Sequence, residues 1–198
     1  MIEFRIRRID SERDIPLLNE SILRLPPGRR RKVLSYHKAI DRVQSVVAYE
    51  LLVELLGEYY GLPADRISME YDLRGKPRIA GRDDIFLSLS HCPRAVMAVV
   101  ADVPVGCDIE IIDRCDDTHI LVPDLCFSDS EKRRLSQADD ACLEFTKIWT
   151  MKEACFKLDN MIDIDTLDTA ALTDISIVHR ITPDYVATLA KRSEALWR

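Results

Sequence analysis

Three β-rich segments separated by short polar joints occupy the middle of the chain. From Ile85 they read FLSLSH, RAVMAVVAD and VPVGCDIEIID. Such consecutive short strands predict antiparallel pairing, because strands joined by tight turns run in opposite directions. The opening segment IEFRIRRI alternates apolar and polar residues, which predicts one further half-buried strand.

Two long helical patterns accompany these strands. Apolar residues recur at helical spacing from about residue 30 to 60, which predicts a long helix with at most one break. A second long helix is predicted from Glu144 to Asp159, after a short one near Asp129. The segments DISIVHRI and DYVATLAKR predict either two strands or one strand and a hairpin arm. A helix followed by strands occurs twice, once on each side of a midpoint near residues 100–106. Two similar halves are therefore a structural hypothesis.

Composition narrows the classes of protein to consider. At 198 residues the chain can bury a core as one large domain or as two small halves. Its net charge of −6 argues against general nucleic-acid binding, which needs a basic face to neutralise phosphates. No segment approaches the roughly 20 apolar residues of a membrane span, and the first residues lack the apolar run of a signal peptide. We therefore expect a cytoplasmic protein without a membrane or nucleic-acid partner.

The six cysteines are scattered without C-x-x-C spacing or nearby paired histidines. This pattern argues against a zinc site and against a disulfide framework. We therefore expect reduced thiols that are mostly buried.

The segment VGCDIE carries the pair of residues that points most directly to chemistry. On a strand, Asp108 and Glu110 project from the same face, two residues apart. Two carboxylates suit Mg²⁺, which takes oxygen ligands from carboxylates, water and substrate phosphates. Such pairs are common on solvated strand faces, but the apolar flanks here make a purely solvated pair harder to accept.

The segment FTKIWTMKEACFK carries a second acidic group. On a helix, Glu153 and Lys157 are four residues apart and share a face. Such a pair is often a plain surface ion pair. The functional alternative makes Glu153 a third metal ligand or a base, with Lys157 placed to meet a phosphate.

Two further segments carry groups that could bind phosphate. Ser90 and His91 end the strand FLSLSH, where a hydroxyl and an imidazole could donate hydrogen bonds to phosphate oxygens. The basic run GRRRK at residues 28–32 could face a small polyanion or could simply begin a solvated helix.

The segments LSLSHC, VGCDIE and FTKIWTMKEACFK, in this order, resemble the hallmarks of the 4′-phosphopantetheinyl transferase superfamily. Those hallmarks are a serine-histidine strand end, G-x-D-x-E and W-x-x-K-E-A-x-x-K. The resemblance covers about residues 25–157. The spacing from Asp108 to Glu153 and the preceding Gly75-Lys76-Pro77 are similar to the larger monomeric type that activates surfactin synthetase and is built from two halves.

The resemblance implies an α+β pseudodimer in which each half packs a long helix on a small antiparallel sheet. Residues 1–102 would form the N-terminal half on the nucleotide side of coenzyme A. Residues 103–198 would form the C-terminal half, which carries Mg²⁺ and the catalytic helix. The implied molecule is a cytoplasmic monomer.

The resemblance also implies an enzyme, a Mg²⁺-dependent holo-carrier-protein synthase. It would transfer 4′-phosphopantetheine from coenzyme A to a serine of an acyl or peptidyl carrier protein and release 3′,5′-ADP. Asp108, Glu110 and Glu153 would hold Mg²⁺. Glu153 would also be the candidate base for the serine proton, and Lys157 would stabilise or protonate the leaving phosphate.

The remaining implied contacts are with coenzyme A. Ser90, His91 and Lys157 would meet its phosphates. Lys76 and Pro77 would line the adenine and ribose end, and the basic run with Arg29 and Lys32 would lie near the 3′-phosphate.

The sequence departs from the family pattern at two places, which keeps other functions open. No glycine occurs in residues 158–162, soon after the K-E-A-x-x-K segment, and Gln44 stands where an arginine facing the coenzyme is expected. One alternative is therefore a coenzyme A-binding member with lost or altered catalysis. A more distant one is an unrelated Mg²⁺-dependent phosphohydrolase that uses the same carboxylates.

Overall fold

The computed structural model describes residues 1–73, 75–112, 117–159 and 162–193. Their helices and strands follow in the order β1 (Ile2–Arg8), α1 (Ser11–Arg24), α2 (Pro27–Leu34), α3 (Ala39–Tyr60), β2 (Met69–Tyr71), β3 (Pro77–Ile79), β4 (Phe86–Cys92), β5 (Ala95–Ala101), β6 (Val105–Ile111), α4 (Asp117–Cys126), α5 (Asp129–Gln137), α6 (Ala141–Leu158), β7 (Ile175–Ile181) and β8 (Tyr185–Arg192).

The strands form two antiparallel sheets of three strands and one short hairpin. The first sheet has the order β1-β5-β4, the second has the order β6-β8-β7, and β2 pairs with β3 in the hairpin. In both larger sheets the first strand pairs with the last strand, and the last strand also pairs with the strand before it. With helices packed on these sheets, the α+β class is confirmed.

Helix α3 covers the first sheet. Its buried face packs on strand β5 through alternate residues of that strand, Val96, Ala98 and Val100, which join the core shared with α1. The helix ends where Gly61 adopts the left-handed conformation, with φ of 62°, and its N–H bonds the carbonyl of Leu56. This is the usual way in which glycine terminates a helix.

The other face of β5 packs against the second sheet. Met97, Val99 and Ala101 join one apolar core with Cys107 and Ile109 of β6. Helix α6 covers the far side of the second sheet, where its buried residues meet β7 and β8. The order of layers is therefore α3, first sheet, second sheet, α6.

The structure corrects two sequence-based predictions of elements. Helix α1 was not predicted; it contains Pro16, forms with Asp10 as its N-cap and buries Leu18 and Ile22. The long helix predicted over residues 30–60 with at most one break is confirmed, and its break at residues 35–38 separates α2 from α3. The third β-rich segment, β6, pairs with β8 and not with β4 or β5.

Two sequence expectations concern the environment of the chain. Cys142 is disulfide-bonded, so the expectation of reduced thiols was wrong for this residue. The spacing of the cysteines in the sequence could not show this disulfide bond, because cysteines that are distant in sequence can meet in the fold. Among the helices that the structure describes, none is long and apolar enough to cross a membrane.

Candidate active site

Gly106 allows helix α6 to lie directly against strand β6. A Cβ atom at residue 106 would overlap the carbonyl oxygen of Ala154 and the amide nitrogen of Leu158, and would lie 2.9 Å from the Cα of Leu158. These are backbone atoms, so no side-chain rotation could relieve the overlap. The glycine of VGCDIE therefore sets the distance between the two elements that carry the predicted acidic residues.

We expect Gly106→Ala to destabilise the protein by about 3 kcal/mol, because an overpacked contact must be relieved by backbone shifts. Urea unfolding followed by circular dichroism would measure the change. Gly57→Ala is the matched control, since a Cβ at Gly57 in helix α3 meets its nearest neighbour at 3.7 Å and alanine favours helices. Equal unfolding midpoints for Gly106→Ala and the wild type would contradict the close approach.

Asp108 of β6 lies at the centre of a buried group of hydrogen-bonded polar side chains. Its side chain is 2% exposed, and its Oδ1 accepts hydrogen bonds from Ser90 Oγ at 2.6 Å and from Lys157 Nζ at 2.7 Å. Lys157 Nζ also donates to Ser90 Oγ at 3.2 Å. The other carboxylate oxygen, Oδ2, is buried and has no hydrogen-bond partner in the described part of the chain. Since a buried oxygen without a partner is costly, Oδ2 is an open ligand position.

Asp108, Glu110, Glu153 and Lys157 form what we call the acidic cluster. Glu153 Oε2 lies 3.9 Å from Lys157 Nζ. Burial, followed by the charge of Asp108, raises the pKa of Glu110 to about 7. Burial also raises the pKa of Glu153, and Lys157 partly opposes this. Burial alone would lower the pKa of Lys157, but the charge and hydrogen bond of Asp108 outweigh it and raise that pKa. Three carboxylates thus share one ammonium group, and the cluster favours a further cation.

We expect the raised pKa of Glu110 to lower stability as the pH rises from about 4.5 to about 7 in metal-free buffer. The folded state binds this proton more tightly than the unfolded state, whose carboxyl titrates near 4.5, so stability is lost across that interval. Between acidic and mildly alkaline pH, the free energy of unfolding of Glu110→Gln should therefore rise by about 1 to 2 kcal/mol relative to that of the wild type. This figure allows for the partial exposure of Glu110. Urea unfolding in EDTA at both pH values would measure this gain.

Glu20→Gln provides the matched control for this experiment, because Glu20 is 71% exposed on α1. It should follow the pH dependence of the wild type. Parallel pH profiles for Glu110→Gln and the wild type would show that Glu110 titrates as an ordinary surface carboxyl.

The acidic cluster fits a hard divalent cation in its chemistry. Within the described residues, no group of three or more His, Cys, Asp or Glu side chains is arranged to hold a metal ion as the side chains stand. Lys157 instead bonds Asp108 and faces Glu153. Its side chain is 28% exposed and flexible, so a cation could replace it as the partner of Asp108. Carboxylate oxygens, one of them unpartnered, are the ligands that Mg²⁺ prefers.

Two serines of β4 join the two larger sheets beside the acidic cluster. Ser88 Oγ accepts a hydrogen bond from the backbone N–H of Cys107 at 2.9 Å, and Ser90 Oγ accepts one from Ile109 at 3.3 Å. Both serines are buried. Sequence reasoning placed Ser90 near phosphate but missed this bridging role of both side chains. Their alternation in FLSLSH was the available signal, because alternate residues share one strand face.

His91 and Lys76 both lie near Lys157 of the acidic cluster. His91 is exposed, and partial loss of hydration followed by the positive charge of Lys157 lowers its pKa. Lys76 and Pro77 line a cavity of about 200 Å³ together with Lys157. Lys76 Nζ donates to the carbonyl of Leu158 at 2.8 Å, and burial lowers the pKa of Lys76.

Arg29 and Lys32 line a different cavity, of about 260 Å³, with Tyr49 and Tyr71. No member of the acidic cluster lines it. Arg29 is already engaged there: Nη2 donates to the carbonyl of Ser45 at 2.6 Å, and Nη1 donates to Tyr71 Oη at 3.1 Å. The structure therefore gathers the residues predicted for the metal and the adjacent phosphates, whereas these two cations lie at a second cavity.

Comparison with known proteins gives a match that includes the whole acidic cluster. The sequence model of a family described as the 4′-phosphopantetheinyl transferase superfamily matches residues 104–195. Over these residues, which make up slightly less than half of the chain, the sequence is similar to that superfamily. Similar curated proteins include the 4′-phosphopantetheinyl transferase psf-1 of Bacillus pumilus, at 34% identity over 60% of this chain and 51% of that protein.

Two further relatives are similar over a larger share of this chain. Enterobactin synthase component D of Salmonella austin is 29% identical over 66% of this chain and 62% of its own length. The 4′-phosphopantetheinyl transferase gsp of Aneurinibacillus migulanus is 26% identical over 79% of this chain and 65% of its own length. The chain thus spans about half to two thirds of the length of these relatives.

Lys152, in the segment that resembles the superfamily's K-E-A-x-x-K hallmark, is a structural residue that sequence reasoning did not single out. Its Nζ lies 3.1 Å from Glu131 Oε2, and both side chains are fully buried. Lys152 also donates to the carbonyls of Ile164 and Leu167. Glu131 Oε1 accepts two bonds from Thr169, at 2.9 and 2.6 Å. The pair therefore fixes α6 against α5 and the segment before β7.

Gln44, one of the two departures from the superfamily pattern, is also structural. It is buried, and its Nε2 donates to the carbonyl of Cys92 at 2.9 Å, which ties α3 to the end of β4. The other departure concerns residues 158–162, of which 160–161 lie outside the described part of the chain.

Proposed function

We propose that this protein is an enzyme, a Mg²⁺-dependent 4′-phosphopantetheinyl transferase with coenzyme A as donor and a carrier-protein serine as acceptor. The supporting observation is the hydrogen-bonded unit around Asp108 of β6. It also contains Lys157 of α6 and Ser90 of β4. These are the three segments that carry the family hallmarks. The product would be 3′,5′-ADP.

We further propose that the chain is a pseudodimer of residues 1–102 and 103–198. The common strand order of the two larger sheets supports this, since each pairs its first strand with its last. A long helix covers the outer face of each sheet. The site would lie where the proposed halves meet, because Ser90 belongs to one and Asp108 to the other.

Asp108, Glu110 and Glu153 would hold the Mg²⁺ ion. The unpartnered Oδ2 of Asp108 and the raised pKa values of the two glutamates support this, because each would be relieved by a nearby cation. When bound, the ion would neutralise charge on the pyrophosphate of coenzyme A.

The neighbouring residues would position the donor. Ser90, His91 and Lys157 would contact its phosphates. Lys76 and Pro77 would line the adenine and ribose end, which their shared cavity with Lys157 supports. Arg29 and Lys32 would meet the 3′-phosphate from the second cavity.

The chemical step requires a base and a charged group beside the leaving phosphate. The serine hydroxyl attacks the β-phosphorus, its proton passes to Glu153, and the bond to the leaving 3′,5′-ADP breaks. The raised pKa of Glu153 brings this carboxyl closer to neutral pH, which favours a general base. Lys157 remains an ammonium because its pKa is raised, and it would stabilise the leaving phosphate.

We expect the protein to act as a cytoplasmic monomer whose partners are coenzyme A and an acyl or peptidyl carrier protein, without a nucleic-acid or membrane partner. Incubation with an apo carrier, coenzyme A and Mg²⁺, followed by mass spectrometry of the carrier, tests the reaction. Addition of one phosphopantetheine is the expected result. No addition across fatty-acid and nonribosomal-type carriers would overturn the proposal. Calorimetric binding of coenzyme A without transfer would identify a binding protein instead.

A further inference from the structure

The two larger sheets leave an apolar groove that is open to solvent between their outer strands, β1 and β7. Its volume is about 240 Å³. Ile2, Phe4 and Ile6 of β1 line one wall, and Val178 and Leu189 line the other. We call this cavity the apolar groove.

The walls of the apolar groove expose large side chains that the fold itself does not cover. Phe4 is 43% exposed and Val178 is 63% exposed. These side chains adjoin one another along the groove and form one apolar surface on which a partner side chain can pack.

Two cations stand at opposite ends of the apolar groove. In the β7–β8 register, Ser176 faces Lys191 and Arg180 faces Ala187, with Val178 and Leu189 between them. Along β8 the two positions are four residues apart, which corresponds to about 13 Å in a strand. Neither Arg180 nor Lys191 has an ion-pair partner in the described part of the chain. The groove therefore offers an apolar floor with one free positive charge at each end.

We propose that the apolar groove binds an acidic amphipathic helix of a partner protein. A helix rises 1.5 Å per residue, so about nine residues cover 13 Å and present apolar side chains at i, i+3, i+4 and i+7. An acidic residue near each end would pair with Arg180 and Lys191. A second copy of this chain fits less well, because the same cations would face each other across a symmetric contact.

This helix site lies on the opposite face of the second sheet from the acidic cluster. Ala187 and Leu189 face the groove, whereas Thr188 between them bonds Thr150 of α6 at 2.7 Å. Asp108 pairs with Thr188 in the strand register and shares its face. A helix in the groove would therefore hold a partner at an attachment point separate from the reacting serine.

Fluorescence anisotropy with synthetic labelled peptides tests the proposal on the full chain. The probe is an amphipathic helix of about twelve residues with leucines at helical spacing and glutamates at both ends, and the comparison peptide carries lysines instead. We expect saturable binding of the acidic peptide that weakens with added salt. The double variant Arg180→Glu, Lys191→Glu should bind it about five- to tenfold more weakly and should prefer the lysine peptide.

Val178→Asp and Ile181→Asp form a matched pair for the apolar floor. Both residues are exposed on β7, but residues 178 and 181 point to opposite faces of the strand. Val178→Asp should abolish saturable binding, and Ile181→Asp should leave it unchanged. Circular dichroism of each variant would confirm its fold.

Several results would overturn the helix proposal. These are equal binding of the acidic and lysine peptides, unchanged affinity in the double variant, or a dimer in analytical ultracentrifugation that Val178→Asp dissociates. Because the assay contains neither coenzyme A nor a carrier, its outcome is independent of transferase activity. Failure of either proposal leaves the other intact.

Discussion

Glu153→Gln should lower the rate of carrier modification about 10²- to 10⁴-fold while leaving the fold intact, because glutamine keeps the shape of the side chain but cannot accept the serine proton. The loss should appear in kcat measured by mass spectrometry of the carrier at saturating coenzyme A. Calorimetry should still detect coenzyme A binding by the variant. This combination separates a chemical role for Glu153 from a general loss of structure.

Glu144→Gln is the matched control on the same helix. Glu144 also pairs with cations, Arg134 at 2.6 Å and Lys147 at 2.7 Å, but it lies two and a half turns before Glu153. Its loss should leave transfer near the wild-type rate. Comparable rates for Glu153→Gln and Glu144→Gln would exclude Glu153 as the base.

Lys152→Met should lower the free energy of unfolding by about 3 to 5 kcal/mol, because it leaves the carboxylate of Glu131 fully buried without its cation. Methionine has a similar length, so the loss does not come from a large cavity. Urea unfolding monitored by circular dichroism would measure it. Lys147→Met on the same helix removes a partly exposed pair and should cost less than about 1 kcal/mol.

The double variant Lys152→Met, Glu131→Gln distinguishes a charge effect from a packing effect. Removing both charges eliminates the uncompensated carboxylate, so part of the lost stability should return. If the double variant is less stable than Lys152→Met alone, the packing and hydrogen bonds of Glu131 outweigh the charge. Lys152 adjoins Glu153, so activity measurements on Lys152 variants need this stability reference.

Local sequence patterns predicted which side chains share a face of a strand or helix. They predicted less accurately which other residues and strands those side chains and strands contact. Alternation along β6 placed Asp108 and Glu110 on one face, and helical spacing placed Glu153 and Lys157 together. The bond from Ser90 to Asp108 and the pairing of β6 with β8 depend on tertiary packing, which periodicity does not encode.

The buried roles of Lys152 and Gln44 escaped prediction for a related reason. Lysine and glutamine in a sequence suggest an exposed surface, because such residues are seldom fully buried without a partner. Here the partners come from distant segments, Glu131 for Lys152 and the carbonyl of Cys92 for Gln44. Helix α1 was also not predicted, and it contains Pro16, a residue that usually interrupts helices.

The serine bridges of β4 have a consequence for how the chain folds. Ser90 meets Lys157 across 67 residues of sequence, and Asp108 meets Lys157 across 49. Contacts between such distant segments form late, because each requires closure of a long loop. The site should therefore assemble only in the final stage of folding. A fragment limited to residues 104–195 would retain all three carboxylates yet lack the serines that fix Asp108, so catalytic competence should report on completion of the native topology.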